Sequence, residues 1–417
     1  MSADQPAQLV LPREAEWGRD FDVARATDAY LATVPATDRE KSDAYFEGGY
    51  WIEAWGTLIA VLLAWLLLRV RFAARLRDWA ANRGRGSFLQ AFIVALGFLL
   101  ALAILTLPWT LYTEYFREHQ YGMSNYSLPG FLGEWAINVC LFTVFGGIVI
   151  AGIYAIVRRV RGRWVYWAAA VTGLFMLFQI LIEPVFIAPI FNDYQSLPQG
   201  EIRESILRLA RDSDVPADDV YWFDASKQTK RISAHVSGIA GTTRIALNDN
   251  LMNGTTLPEI RAVMGHEMGH YRLNHGLWLT LAFTLVLGFG YWVIDRVFGR
   301  FQRRHGERWS VSDLADPAGL PLAFAIFVVV MYPLTPLTNS IVRTAESQAD
   351  AFGLDAAREP HGFASVSMRL SSYRKLDPSP IEEIIFFDHP SGRARVSWAM
   401  NWLADHPPET SPRAANQ

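Results

Sequence analysis

The 417-residue chain is poor in cysteine and has one, Cys140. That excludes a disulfide scaffold and any thiolate cluster for zinc or iron–sulfur. A metal must therefore be held by His, Asp or Glu. The chain also lacks an excess of charge of either sign. Its 38 Lys and Arg against 41 Asp and Glu give a formal net charge of −3, so no basic surface is on offer to nucleic acid. Charged residues make up only 19% and hydrophobic ones 51%. That is too apolar for an ordinary soluble enzyme and too charged for a chain wholly within a membrane. No charged n-region with a short apolar run opens the chain, so a cleavable signal is not expected. Residues 1–50 read instead as a loose polar arm, partly helical, and the Pro-rich end 406–417 as mobile.

What the chain has is long apolar runs. Six suit a bilayer, which takes about 20 residues: roughly 52–70, 88–112, 132–157, 164–190, 276–297 and 319–338. Trp51, Trp55, Trp109, Trp135, Trp164, Trp278 and Trp292 lie near their ends, where amphipathic rings prefer to sit. Glu134, Glu183, Asp295, Pro333 and Pro336 lie within or beside them. Such groups are costly in lipid and are expected to face protein or a wet cavity. Arginines mark alternate loops: Arg71, Arg75, Arg77, Arg83 and Arg85 in the first, Arg158, Arg159, Arg161 and Arg163 in the third, Arg300, Arg303, Arg304 and Arg308 in the fifth. The second has only Arg117. The positive-inside rule puts the odd loops in the cytoplasm and both polar regions, 192–275 and 339–417, on the other side. The expected division is the arm 1–50, membrane helices one to four in 51–191, an insertion 192–275, membrane helices five and six in 276–338, and a helical C-terminal region 339–417.

The insertion reads as small and α/β. Residues 197–213 form an amphipathic helix pattern, 220–225 a strand, and 235–249 a hairpin with Gly241, Thr242 and Thr243 near its turn. Thr256, Pro258 and Glu259 then signal a helix start. That helix carries His266-Glu267-Met268-Gly269-His270. Positions i and i+4 share a face, so both imidazoles can reach one ion. Zinc lowers the pKa of a bound water to about 7, and Glu267 stands where it can take the proton. This is the zincin pattern.

A catalytic zinc needs a third protein ligand. His275 fails the metzincin spacing, and His389 stands alone. Glu346 in Arg-Thr-Ala-Glu-Ser-Gln-Ala-Asp (343–350) is favoured, and would complete two His and one Glu. Asp350, one turn on, is placed to accept from a ligand's other ring N–H and fix its tautomer. Arg343 is a candidate to pair with a nearby carboxylate.

Several segments together resemble the type I CAAX prenyl protease family of integral-membrane zinc metalloproteases. They are FNDYQSLPQGEI (191–202), SAHVSGIAGTTRIALNDNLM (233–252), VMGHEMGHYRLNH (263–275), RTAESQADAFGL (343–354) and DHPSGRAR (388–395). The resemblance covers roughly 40–417. It implies that His266, His270 and Glu346 bind one Zn²⁺ and that Glu267 is the general base. It gives His389 and Arg395 the task of holding the oxyanion, where aimed donors contribute most to acyl transfer. It lays the substrate along the hairpin's edge strand, about 232–238. Ser233 and His235, candidate substrate contacts, stand where the family commonly has Asn and Tyr. The eukaryotic relatives carry one more span and a cytosolic catalytic domain, against the orientation the arginines favour.

The fold so expected is mainly α and polytopic, with about six transmembrane helices around a polar chamber and a small α/β zincin-like catalytic insertion. The function is an integral-membrane zinc metalloendopeptidase, with a peptide or protein substrate, prenylated or not, the lipid bilayer as partner and no nucleic acid. By resemblance it removes the C-terminal tripeptide of prenylated proteins. The alternatives are a quality-control protease of the HtpX type, and a non-proteolytic membrane protein with structural zinc.

Overall fold

A backbone that crosses lipid must satisfy its own hydrogen bonds, so long apolar runs become helices. The computed structural model describes residues 8–160, 162–238 and 243–408. Among the described residues, six helices are long and apolar enough to cross a membrane: Ala36–Arg69, Ser87–Tyr121, Leu128–Arg159, Trp164–Phe191, His275–Trp309 and Pro317–Ala357. Each contains one of the runs read from the sequence. Several extend further than hydropathy marked. The first has 34 residues, about 50 Å of helix against a hydrocarbon core of about 30 Å, so it projects beyond the apolar layer. The sixth was expected to end at 338. It bends through Tyr332–Leu334, around Pro333, and continues as Thr335–Ala357.

Two of the charges flagged within the spans, Asp295 and Glu134, have protein partners. Asp295 accepts from Trp164 Nε1 at 2.7 Å. Glu134 accepts from Tyr126 and Gln228. With Glu114, Glu118, Asn138 and Arg231 it lines a polar cavity of about 440 Å³ between the spans and the insertion. The arginine loops gather at the opposite end. Arg77 pairs with Asp316, and Arg71 and Arg158 donate to the carbonyls of Arg308 and Ala315. Some of the arginines counted for orientation therefore also tie loops together.

The N-terminal arm is not loose over the described residues. Ala15, Ala26, Tyr30 and Leu31 are buried in a core with Leu354, Phe363, Met368, Val396 and Met400. Tyr30 Oη meets His361 Nδ1 at 2.9 Å. The helix Val23–Ala32 supplies an apolar face that the C-terminal helices need covered. Sequence polarity hid this, because the buried positions are few and widely spaced. Of the other end expected to be mobile, residues 409–417 lie outside the described residues.

The insertion holds a four-stranded sheet of order β1-β2-β4-β3: β1 (Tyr194–Ser196), β2 (Val220–Phe223), β3 (Ala234–Ser237) and β4 (Arg244–Asn248). β3 and β4 pair antiparallel as the hairpin expected, with β3 at the edge. Its expected turn residues Gly241 and Thr242 lie outside the described residues. The expected amphipathic helix is Glu201–Asp212.

The motif helix, Leu257–Arg272, starts where Glu259 accepts from the Thr256 N–H at 2.7 Å. Asn274, with φ 54°, breaks it from the fifth span. It crosses the extension of the sixth span at small residues. A Cβ on Gly353 would stand 2.7 Å from the His266 backbone nitrogen, one on Gly265 2.9 Å from the Gly353 carbonyl oxygen, and one on Gly269 3.0 Å from Ala349 Cα. The two backbones touch there, and no side chain separates them. Gly353→Ala is expected to force the helices apart and cost about 1–3 kcal/mol, as overpacking does. A thermal-unfolding scan in detergent checks this, with Gly152→Ala, whose Cβ would meet nothing within 4 Å, expected to leave the midpoint in place.

Candidate metal centre

The close crossing puts Glu346 opposite the two motif histidines. His266 Nε2 and His270 Nε2 stand 3.1 Å apart. Glu346 Oε2 lies 3.3 Å from the first and Oε1 3.4 Å from the second. Donors on a tetrahedral ion with bonds of about 2.0–2.1 Å stand about 3.3–3.4 Å apart. Three lone-pair donors thus sit at the spacing an ion would impose. Glu346 Oε2 is also buried without a hydrogen-bond partner among the described residues. His389 Nε2 comes within 3.2 Å of that oxygen, but not in hydrogen-bonding alignment. The residues fit a metal ion.

The electrostatics ask for positive charge at the same point. Burial opposes charge on His266, yet the hydrogen bond with Asp350 and the nearby Glu346 carboxylate raise it to about 9. Burial, then the neighbouring His266, push His270 down to about 4. A divalent cation meets the demand that otherwise draws a proton. Burial lifts the Glu267 carboxyl to about 7, with His266 working against it. Glu267 lines the cavity that opens over these donors and accepts no hydrogen bond from the described residues, so it is free to act as a base.

A second layer of contacts fixes both imidazoles. Asp350 is fully buried and its Oδ1 is 2.7 Å from His266 Nδ1. A carboxylate there requires Nδ1–H and leaves Nε2 with its lone pair. Arg395 grips Asp350 with Nε at 2.8 Å from Oδ2 and a terminal nitrogen at 2.6 Å from Oδ1. Arg395, expected to hold the oxyanion, lines the cavity as well as making these bonds. Two of its nitrogens are committed to Asp350, and it bears on His266 through that carboxylate. On the other side, His275 Nε2 faces Gln348 Oε1 at 3.1 Å, and its Nδ1 faces His270 Nδ1 at 2.8 Å. If His275 donates to the amide oxygen, its Nδ1 accepts from His270, which again exposes the His270 Nε2 lone pair. Sequence reasoning weighed His275 only as a ligand. Its place one turn beyond His270 carries no signal of this supporting contact.

A cavity of about 300 Å³ opens over the cluster. Ser233 and Ala234 line it from the edge of β3, and His389, Tyr373 and Arg374 from the C-terminal region. His235 does not line it. Side chains alternate along a strand, so with Ala234 towards the cavity His235 packs on Phe223 and Tyr194. There burial, then Arg244, push it down to about 4. Arg343 bonds the carbonyls of Glu383 and Phe387, where a carboxylate partner was expected. It thereby holds the turn that presents His389. Tyr373 and Arg374 were missed, because no motif marks them.

Comparison with known proteins follows the same division of the chain. The profile of peptidase family M48 matches residues 196–413, and that of the CAAX prenyl protease N-terminal region, with five membrane helices, matches 24–193. The uncharacterized metalloprotease YhfN of Bacillus subtilis (strain 168) is 30% identical over 82% of this chain and 81% of its own. CAAX prenyl protease 1 of Saccharomyces cerevisiae is 24% identical over 74% and 72%. The crystal structure of S. mikatae Ste24p superposes with a TM-score of 0.71 at 20% identity, covering 88% of this chain and 89% of that one.

Asp350→Ala keeps all three candidate ligands but removes the contact that orients His266. It is expected to weaken metal binding about 10–100-fold, read by competition with a chromophoric chelator. An unchanged affinity would show that Asp350 does not support the site.

Proposed function

The chain belongs to peptidase family M48 and is an integral-membrane metalloprotease, and on that premise we propose that one zinc ion, held by His266, His270 and Glu346, serves a cut near the C-terminus of prenylated proteins. The observation that carries the zinc assignment is the 3.1–3.4 Å spacing of the three donors around the orphaned Glu346 oxygen. Nitrogen and oxygen donors at that spacing suit zinc. The prenylated substrate rests on the relatives named CAAX prenyl protease 1, and the family as a whole acts on peptides or proteins.

Bound there, zinc would supply Lewis acidity, polarising the scissile carbonyl and acidifying a water. The chain's own residues do the rest. Asn248 N–H donates to the Ser233 carbonyl at 2.9 Å. In an antiparallel ladder the next hydrogen-bonded position is His235. The backbone groups of Ala234 and Val236 therefore point to the open edge, where an extended peptide adds as a strand. Glu267 takes a proton from the attacking water as the C–O bond forms. It returns that proton to the leaving amine as the C–N bond breaks. His389, whose Nδ1–H donates to Asp388 at 2.8 Å, turns Nε2 to the cavity, where it donates to the oxyanion when both ring nitrogens carry a proton.

Purified protein is expected to cut a farnesylated CAAX peptide. Glu267→Gln should keep stoichiometric zinc and lose about 10²–10⁴-fold in kcat. No cleavage by a zinc-loaded wild type would remove the prenyl assignment, and turnover of unfolded membrane proteins would then favour the quality-control reading. His389→Ala is expected to lose about 10²–10³-fold in kcat, as for an oxyanion donor, with zinc retained. Loss of zinc instead would make His389 a ligand.

A further inference from the structure

The fifth span packs on the fourth through Gly276 and Thr284, and on the sixth through Gly290. On the side away from both it presents Leu277, Leu281 and Leu285, between 51% and 68% exposed. Residues four apart share a face of a helix, so these leucines form one stripe. In water such a stripe would be a liability, and in a bilayer acyl chains cover it. Leu273, at the end of the motif helix and also exposed, carries the stripe past the start of the span. There it meets a groove of about 760 Å³ between the fifth span and the extension of the sixth. Trp278 and Phe352 give the groove apolar walls, Ala351 lies between them along the sixth span's extension, and Thr344 and Gln348 add polar groups. Among the described residues, none lines both this groove and the catalytic cavity.

The level of the groove and its two-sided chemistry identify the occupant. Trp278 stands at the start of the apolar run 276–297, at the edge of the hydrocarbon. Thr344 and Gln348 stand past the end of the run 319–338, by about 9 Å and 15 Å of helix. The groove thus begins where hydrocarbon ends and rises into the head-group layer. Gln348 Oε1 faces His275 Nε2 at 3.1 Å, and its amide N–H groups have no hydrogen-bond partner among the described residues, so they are free to donate outwards. An amphiphile suits a site with an apolar mouth and a donor above it. A water-soluble partner would first have to displace the lipid that covers the leucine stripe. We propose that this groove is a docking site for one membrane phospholipid, with an acyl chain along Leu277, Leu281 and Leu285 and its ester and phosphate oxygens towards Gln348. Its volume is within the range of ligand sites. The lipid touches both elements that carry candidate metal ligands, since Leu273 closes the motif helix and Gln348 lies two residues from Glu346. It braces the two spans whose separation sets the metal cluster. The site is independent of which peptide the enzyme cuts.

The test uses the full-length protein in detergent, with a short-chain phosphatidylcholine as the added lipid. Native mass spectrometry counts bound lipid, and a thermal scan reads its effect on stability. Wild type is expected to take up one phospholipid ahead of any others. Its thermal midpoint should rise saturably with lipid, as for any ligand of the folded state. Ala351→Trp fills the groove from an exposed position and should lose both the bound lipid and the rise in midpoint. Leu273→Ser strips apolar surface from the mouth and should weaken binding roughly tenfold. Midpoints without lipid report that each variant folds. Absence of both bound lipid and a midpoint rise in wild type overturns the proposal, and this result needs no variant. So does lipid binding unchanged by Ala351→Trp, which would put the lipid elsewhere on the spans. A lipid-free dimer that Ala351→Trp dissociates overturns it too, and would make the groove an interface between two copies of the chain.

Discussion

The site depends on a contact between two helix backbones. Gly265 and Gly269 on the motif helix meet Gly353 and Ala349 on the extension of the sixth span with no room for a side chain between them. Residues one turn apart along each helix share a face. Gly353, Asp350 and Glu346 are therefore successive points on one stripe, and so are Gly265, Gly269 and their neighbours His266 and His270. Closing the distance at the glycines sets the distance at the ligands. A larger residue at the crossing would leave each ligand's chemistry intact and still spoil the cluster, since the 3.1–3.4 Å spacings tolerate little displacement.

Charge is then arranged around that geometry in layers. Asp350 is wholly buried, a position a carboxylate occupies only when paired and hydrogen-bonded. Arg395 supplies one partner and His266 the other. A buried pair of this kind is weak support for stability, but removing one member strands the other, at about 3–5 kcal/mol. The pair is better understood through what it does to His266, whose ring it orients and whose tautomer it fixes. Glu259, equally buried and held by Ser365 and Arg369, does the same for the start of the motif helix. It joins the helix's first turn to the C-terminal helices that also cover the N-terminal arm.

What could be read in the sequence was what is local. The six apolar runs announced the spans, and helical spacing announced His266, Glu267 and His270. The small-residue segment around Glu346 and Asp350 was recognisable because the motif is contiguous. The rest depends on tertiary packing. That Arg395 reaches both the cavity and Asp350 is decided by where its helix lies, not by its distance from His389 along the chain. His275 failed a spacing rule for ligands and turned out to contact one. The arm up to Ala32 looked polar because a single buried face on a short helix leaves most of its residues exposed. His235 was placed by strand alternation, which the sequence allowed in either phase until the sheet partner was known.

The same packing argues for a working catalytic centre over a structural one. Three protein donors converge where a closed structural site would have four. The fourth side opens on a cavity bordered by an unpaired strand edge and by Glu267, a carboxylate with no partner among the described residues. A structural site needs none of these. Both helices that carry candidate ligands are also continuous with membrane spans: the motif helix leads through Asn274 into His275–Trp309, and Glu346 lies on the continuation of Pro317–Met331 past the turn at Tyr332–Leu334. The centre is thus assembled by two spans meeting above the apolar layer. A substrate must come to it at the membrane, and any shift between the fifth and sixth spans will be felt first as a change in the distance between the histidines and Glu346.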